Sequence, residues 1–334
     1  MQDYRRVLDC FRIGSRFSVV YPSYEMFFSG KRERNFNTEK ANLEKKFKGD
    51  ISHRSAIKIK RVIEVWNDAI EAEMERIKQP LSYKWKYITF VTLTLSAKQQ
   101  HSDNEIKRKC LNTFLIQSRR QFGIKNYLWR AEPQKNGNIH FHILFDRAVN
   151  YEKIRDCWNG CQESLSYVSN FEKKHGHRSP NSTDIHSLRN VQDIAEYVGK
   201  YMMKEQGARE IEGRLWSCNR ELKIVKPYGG IVDAEIMSVI DYGEKMGYLE
   251  VKKKDYAVII IGKLKGLLQH YSAFHRERMR RHNQTNFDYL YHGKDMINYE
   301  DIPLLPGECV QENQQEERKE SRREVKQLDF SFNS

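Results

Sequence analysis

The chain has no long apolar run. Its longest, YAVIII at 256–261, is far short of the roughly 20 residues that a membrane-spanning helix needs. It has no GxxxxGK[ST] loop, which excludes a P-loop motor, and no internal repeat. Acidic side chains are outnumbered: 45 Asp and Glu face 58 Lys and Arg, a formal charge of +13. That surplus favours a polyanionic partner, nucleic acid before membrane. The opening segment MQDYRRVLDCFRIGSRF carries charges where a signal peptide would need its apolar stretch, so a cytoplasmic protein is expected. The six cysteines are scattered, as suits a reducing compartment. Cys157 and Cys161 are spaced CxxxC in a helical stretch, but no second Cys/His pair completes a zinc set, so they read as packing thiols.

What is present is a patterned middle flanked by less legible ends. Residues 1–50 are aromatic and basic without a clear period. From Ser52 or His53 an amphipathic helix is predicted, with Ile57, Val62, Ile63, Trp66 and Ile70 on its apolar face and Pro80 as its stop. WKYITFVTLTLS (85–96) reads as a strand, followed by a helix from Asp103 to about Arg120, capped by Ser102 or Asp103. YLWRAEP (127–133) and IHFHILF (139–145) are strands joined through Asn136-Gly137, a tight-turn signal. A helix over 150–166, a polar loop EKKHGHRSPNS, a short strand near 184–188 and a helix over 191–206 follow. GRLWSCNRELKIV adds an edge strand. This order predicts an α+β domain over 83–226, a central antiparallel sheet of about five strands flanked by helices. An N-terminal extension with the long helix (1–82), an accessory helical region (227–310) and a disordered charged tail with an apolar end (311–334) complete the expectation.

Two constellations carry chemistry. In a strand, residues i and i+2 share a face, about 6.5–7 Å apart at the backbone. His140 and His142 therefore project together, while Ile139, Phe141 and Ile143 point into the core. The hairpin brings Glu132 near His140 or its neighbours. Two imidazoles and one carboxylate leave open positions on a cation and suit Lewis-acid work. A second pair, His175 and His177, lies in a Gly/Pro/Ser/Asn-rich loop with no strand to fix it. In AEYVGKYMMKE (195–205), Tyr197 and Tyr201 are four apart on one helix face. Lys204 continues that stripe and Lys200 flanks it. A phenol, with a pKa near 10, attacks poorly unless a phosphodiester polarised by a cation accepts it, and lysines can offset charge on that phosphate. Two tyrosines at this spacing are equally the pattern of an amphipathic core face.

FVTLTLS (90–96), HFHILF (140–145) and YVGKYMMK (197–204) resemble, in order and spacing, the three motifs of the HUH endonucleases, the rolling-circle replication initiators (Rep). The likeness covers about residues 83–226. The YxxxY pair resembles the two-tyrosine branch, typified by replication proteins of small single-stranded-DNA phages and related plasmids. The resemblance implies His140 and His142 as metal ligands with Glu132 as the third. It implies Tyr197 and Tyr201 as nucleophiles, Lys200 as the motif's lysine, and Thr92 and Thr94 as sheet residues beside the site. It also implies nicking of one DNA strand through a 5′-phosphotyrosine, with rejoining later. Magnesium or manganese is the implied cofactor, although the donor set also admits zinc or iron. The implied partners are single-stranded DNA or an origin hairpin, and a host helicase, in the cytoplasm of a bacterial cell. QLDFSF (Gln327 to Phe332) is similar to the short peptides that bind the polymerase sliding clamp. Trp85, Tyr87 and Trp129 could stack bases or pack in the core.

Three rival readings stay open on the sequence. A transposase or relaxase of the same superfamily is the nearest. A non-catalytic nucleic-acid-binding α+β module would leave the histidines and tyrosines passive. An iron oxygenase would use the two histidines and the carboxylate but give the basic charge no role.

Overall fold

The computed structural model describes residues 10–13, 16–22, 51–186, 198, 209–231, 234–254, 257–263, 267 and 270–293. They form two compact units. One holds the described residues between 51 and 226 together with 286–293. The other joins β1 (Cys10–Ile13) and β2 (Arg16–Pro22) to residues 227–285.

The unit that begins at residue 51 opens with α1, His53–Arg76, whose buried Ile59, Ile63, Trp66 and Ile70 recur at helical spacing. Ser52 caps it, accepting from the Ser55 N–H at 3.2 Å. The helix ends before Pro80, because the chain turns at Lys78, whose φ is 52°. A 3₁₀ turn, Leu81–Lys86, then takes the place expected for the start of a strand, and β3 is confined to Thr89–Leu93. Strands β4 (Tyr127–Pro133) and β5 (Ile139–Phe145) match their sequence bounds. With β6 (Thr183–His186) and β7 (Trp216–Cys218) they complete an antiparallel sheet of order β6-β3-β5-β4-β7. The predicted five-stranded α+β domain is therefore present.

One sheet face is apolar: Val91, Leu93, Trp129, Ala131, Ile139, Phe141, Ile143 and Phe145. Against it lie α2 (Asp103–Ile106, a π turn Lys107–Leu111, and Asn112–Phe122) and α3 (Tyr151–Glu163), through Ile106, Phe114, Ile154 and Trp158. Trp129 is one of these core residues and packs edge-on to Phe141, so it stacks on protein. Cys157 and Cys161 are buried free thiols within hydrogen-bond range of Gln117, in keeping with a packing role. α4, Tyr167–His175, is a helix that the sequence reading missed and that takes in the start of the predicted polar loop; its outer turn is charged and gives little apolar period.

Ser102, rather than Asp103, caps α2, accepting from the Glu105 N–H. Asp103 instead makes a two-point pair with Arg209, both contacts 2.7 Å, and also accepts from Gln99 and from the Glu212 N–H. Burial alone would raise its carboxyl pKa; these hydrogen bonds outweigh burial and hold it below the ordinary value. A group so depressed adds stability above the unfolded pKa of about 3.9, and that stability is lost as pH falls through the folded value. Asp103→Asn should cost about 2 kcal/mol at neutral pH, with the gap closing toward pH 2. Urea unfolding across pH measures it; a gap that persists in acid contradicts the ion-pair account.

The other unit differs from the expected helical accessory region. β1 and β2 pair with each other, β1 pairs with β8 (Tyr228–Ile231), and β2 pairs with β10 (Ala257–Lys263). β9 (Leu249–Lys254) closes the order β8-β1-β2-β10-β9. The apolar run that opens at Tyr256 supplies β10. α5 (Glu221–Ile224) belongs to the unit with the histidines. α6 (Ala234–Lys245) buries Ile236, Val239 and Ile240, and α7 spans Ala273–Phe287. Leu249 and Leu267 sit so close over Gly243 and Gly262 that a Cβ on either would meet them under 3 Å.

No described helix is long and apolar enough to cross a membrane. The tail from 311 on, including Gln327 to Phe332, lies outside the described residues.

Candidate metal centre

The face of the β6-β3-β5-β4-β7 sheet opposite the apolar core carries the polar side chains. Pairing aligns Asp184, Thr92, His142, Arg130 and Trp216 in one row across all five strands. In the adjoining row Glu132 pairs directly with His140. The Asn136-Gly137 hairpin fixes that register: Gly137 takes φ 84°, its N–H donates to the Gln134 carbonyl, and the Gln134 N–H donates to the Asn138 carbonyl. A slip of one residue would have sent both imidazoles into the core.

Glu132 Oε1 lies 2.9 Å from Nε2 of His140 and 2.9 Å from Nε2 of His142, and the two nitrogens are 3.0 Å apart. Glu132, His140 and His142 are a group able to hold one metal ion, and the described residues contain no other group of three such donors. The other histidine pair does not join a site: His175 stacks on Phe171, and His177 meets the same ring edge-on. Burial would raise the Glu132 pKa, but hydrogen bonds from His140 and His142 dominate and hold the carboxyl far below its ordinary range. Burial lowers the His142 pKa, with the neighbouring His140 and Arg130 adding to that and Glu132 opposing it, so the ring is neutral at pH 7. An ionised carboxylate and a neutral imidazole are the forms that ligate. Nδ1 of His140 is buried without a hydrogen-bond partner among the described residues. The donor set fits a hard or borderline divalent cation: one oxygen and two nitrogens with the remaining positions open.

Three neighbours escaped the sequence reading. Arg130 is wholly buried, yet its Nη2 lies 3.7 Å from Glu132 Oε2, the oxygen that faces away from the histidines. Thr92, expected only as a sheet residue, places Oγ1 3.0 Å from His142 Nδ1 and 3.1 Å from His186 Nε2. His186 had drawn no attention. Only the cross-strand register puts these three beside the pair, although strand alternation alone puts Arg130 on the Glu132 face. Thr94, by contrast, turns to the Ser182 carbonyl at 3.1 Å.

Tyr197, Lys200, Tyr201 and Lys204 lie outside the described residues. Between them only Val198 is described, helical and fully buried.

An antiparallel sheet that gathers two imidazoles and a carboxylate on its open face, with helices packed on the other, defines an α+β domain built around a cation site. Residues 88–206, a little over a third of the chain, match the model of the Replication-associated protein ORF2 family, and the match supports a rolling-circle Rep. Comparison with curated proteins and with solved structures found no match. The chain is thus supported as a replication-associated protein, and the matched segment contains Glu132, His140 and His142.

Proposed function

We propose that the protein initiates rolling-circle DNA replication by nicking one strand. The observation that carries the reading is the meeting of Glu132 Oε1 with both histidine Nε2 atoms at 2.9 Å inside the segment similar to Rep proteins. In this reading His140, His142 and Glu132 hold Mg²⁺ or Mn²⁺, which when bound polarises the scissile phosphate. The hydroxyl of Tyr197 or Tyr201 attacks the phosphorus and gives up its proton. The bond from phosphorus to the 3′ oxygen breaks, that oxygen takes a proton, and a 5′-phosphotyrosine and a free 3′-hydroxyl primer result. After displacement the other tyrosine cuts the regenerated site, and the freed 3′-hydroxyl reseals the first strand. The phosphotyrosine conserves the bond, so rejoining needs no ATP. Lys200 and Lys204 offset charge on the phosphate. The substrate is single-stranded DNA or an origin hairpin, bound with the steep salt dependence of a basic protein. Unwinding falls to a host helicase, and Gln327 to Phe332 is the segment proposed to dock a sliding clamp. The setting is the cytoplasm of a bacterial cell.

The test incubates the full chain with labelled single-stranded origin DNA and Mn²⁺. A denaturation-resistant protein–DNA adduct is expected, absent from the Tyr197→Phe, Tyr201→Phe double variant. Binding without adduct on any strand would favour a passive nucleic-acid module. An adduct formed on transposon ends or a transfer origin would favour the transposase or relaxase reading.

A further inference from the structure

We infer that Thr92 and His186 are positioning residues that hold His142 in the tautomer and orientation a cation requires. The inference deepens the metal-centre reading proposed above and rests on it. An imidazole that ligates through Nε2 must carry its proton on Nδ1, and that N–H needs an acceptor to fix the ring. His142 Nε2 faces Glu132 and His140, and its Nδ1 lies 3.0 Å from Thr92 Oγ1. The His142 N–H therefore donates to the threonine oxygen. The hydroxyl proton of Thr92 must then point elsewhere, and His186 Nε2, at 3.1 Å, is placed to accept it. The direction of every proton in the chain follows: His142 Nδ1–H to Thr92 Oγ1, Thr92 O–H to His186 Nε2.

Packing holds both rings in the same geometry. The Phe90 ring is stacked on His142 at 5.5 Å between centroids with a 24° interplanar angle, and lies 4.8 Å from His186 at 35°. Phe90 pairs directly with His186 across the β3–β6 ladder, and Thr92 pairs with both His142 and Asp184. Asp184 Oδ2 lies 3.5 Å from His186 at the solvent end of the chain. The edge strand β6 therefore brings its alternate side chains to the cation site through one hydroxyl. Threonine is the residue the arrangement needs at 92. Valine has the same shape without the oxygen, and serine keeps the oxygen without the methyl.

The experiment measures Mn²⁺ affinity of the full chain by isothermal titration, beside thermal melting of the metal-free protein. Thr92→Val is expected to weaken Mn²⁺ binding by about 10- to 100-fold, the usual range for loss of a partner behind a metal-bound histidine. Thr92→Ser should restore it to within a few-fold. His186→Phe keeps a ring against Phe90 but removes the acceptor and should also weaken binding about tenfold, whereas His186→Gln, which can still accept, should recover it. His186 is partly exposed at a sheet edge, so this pair carries the test even if Thr92→Val melts early. Unchanged Mn²⁺ affinity in Thr92→Val and His186→Phe overturns the inference while leaving the metal centre intact. Weakening in Thr92→Val alone removes His186 from it. A wild-type chain that binds no Mn²⁺ would instead refute the centre itself, and the positioning role with it.

Discussion

Replacing His140 and His142 together with alanine is expected to abolish Mn²⁺ binding and to slow adduct formation by about a thousandfold or more. The variant would leave Glu132 alone, a single carboxylate oxygen where three donors now meet within 4.8 Å of one another. Lewis-acid polarisation of a phosphate contributes several kcal/mol to a transition state, and about 1.4 kcal/mol is a factor of ten in rate. The fold should survive, because the two imidazoles project from the face opposite Phe141, Ile143 and the rest of the apolar cluster. Titration calorimetry and a time course of the covalent adduct measure the two losses, with far-ultraviolet circular dichroism as the control for folding. Normal adduct yield in the double-alanine chain would remove the cation from the reaction altogether.

The largest effect on stability is expected from Trp158→Ala. Trp158 is wholly buried where α3 meets the sheet, edge-on to Phe114 at 5.7 Å and to Phe141 at 6.1 Å between ring centroids. Its Nε1–H donates to the Thr94 carbonyl at 2.6 Å. Truncation removes a large apolar volume from a core that cannot fully collapse, and it strips a partner from a carbonyl at the end of β3. A cost of about 4 kcal/mol is expected, a large part of the 5–15 kcal/mol by which a domain is ordinarily stable. Trp158→Phe, which keeps a ring but loses the N–H, should cost about half as much. Urea unfolding followed by tyrosine fluorescence reads both. A loss below 1 kcal/mol for the alanine variant would mean that α3 is not seated on the sheet as described.

The readable part of the site was the part written in strand alternation and one turn. HxH within IHFHILF placed two imidazoles on one face, and Asn136-Gly137 announced the hairpin. Whether Glu132 faced His140 needed the register, which the fold supplies as a direct pair. The role of Arg130 as neighbour to Glu132 Oε2 was hidden because a buried cation in a core strand has no local signature. Thr92 and His186 are 94 residues apart, and no pattern within either segment says that their side chains touch. The same limit explains the second sheet. β1 and β2 showed no period by themselves, because their partners β8 and β10 lie more than two hundred residues further on. α4 was passed over for a different reason: EKKH at its end is charged on every side, so the polar signal masked a helix.

The pairing of β1 with β8 and of β2 with β10 has a consequence for biosynthesis. A ribosome adding about 5–20 residues each second releases the first two strands some tens of seconds before it has made the last of their partners. Throughout that interval the leading hairpin offers open edges to whatever strand it meets, its own sister chains included. The sheet with the histidines has all its strands between Thr89 and Cys218 and can close earlier. Crowded polysomes should therefore favour entanglement through the leading hairpin, and slower translation after Lys226 should lower the yield of native protein without harming the cation-binding half.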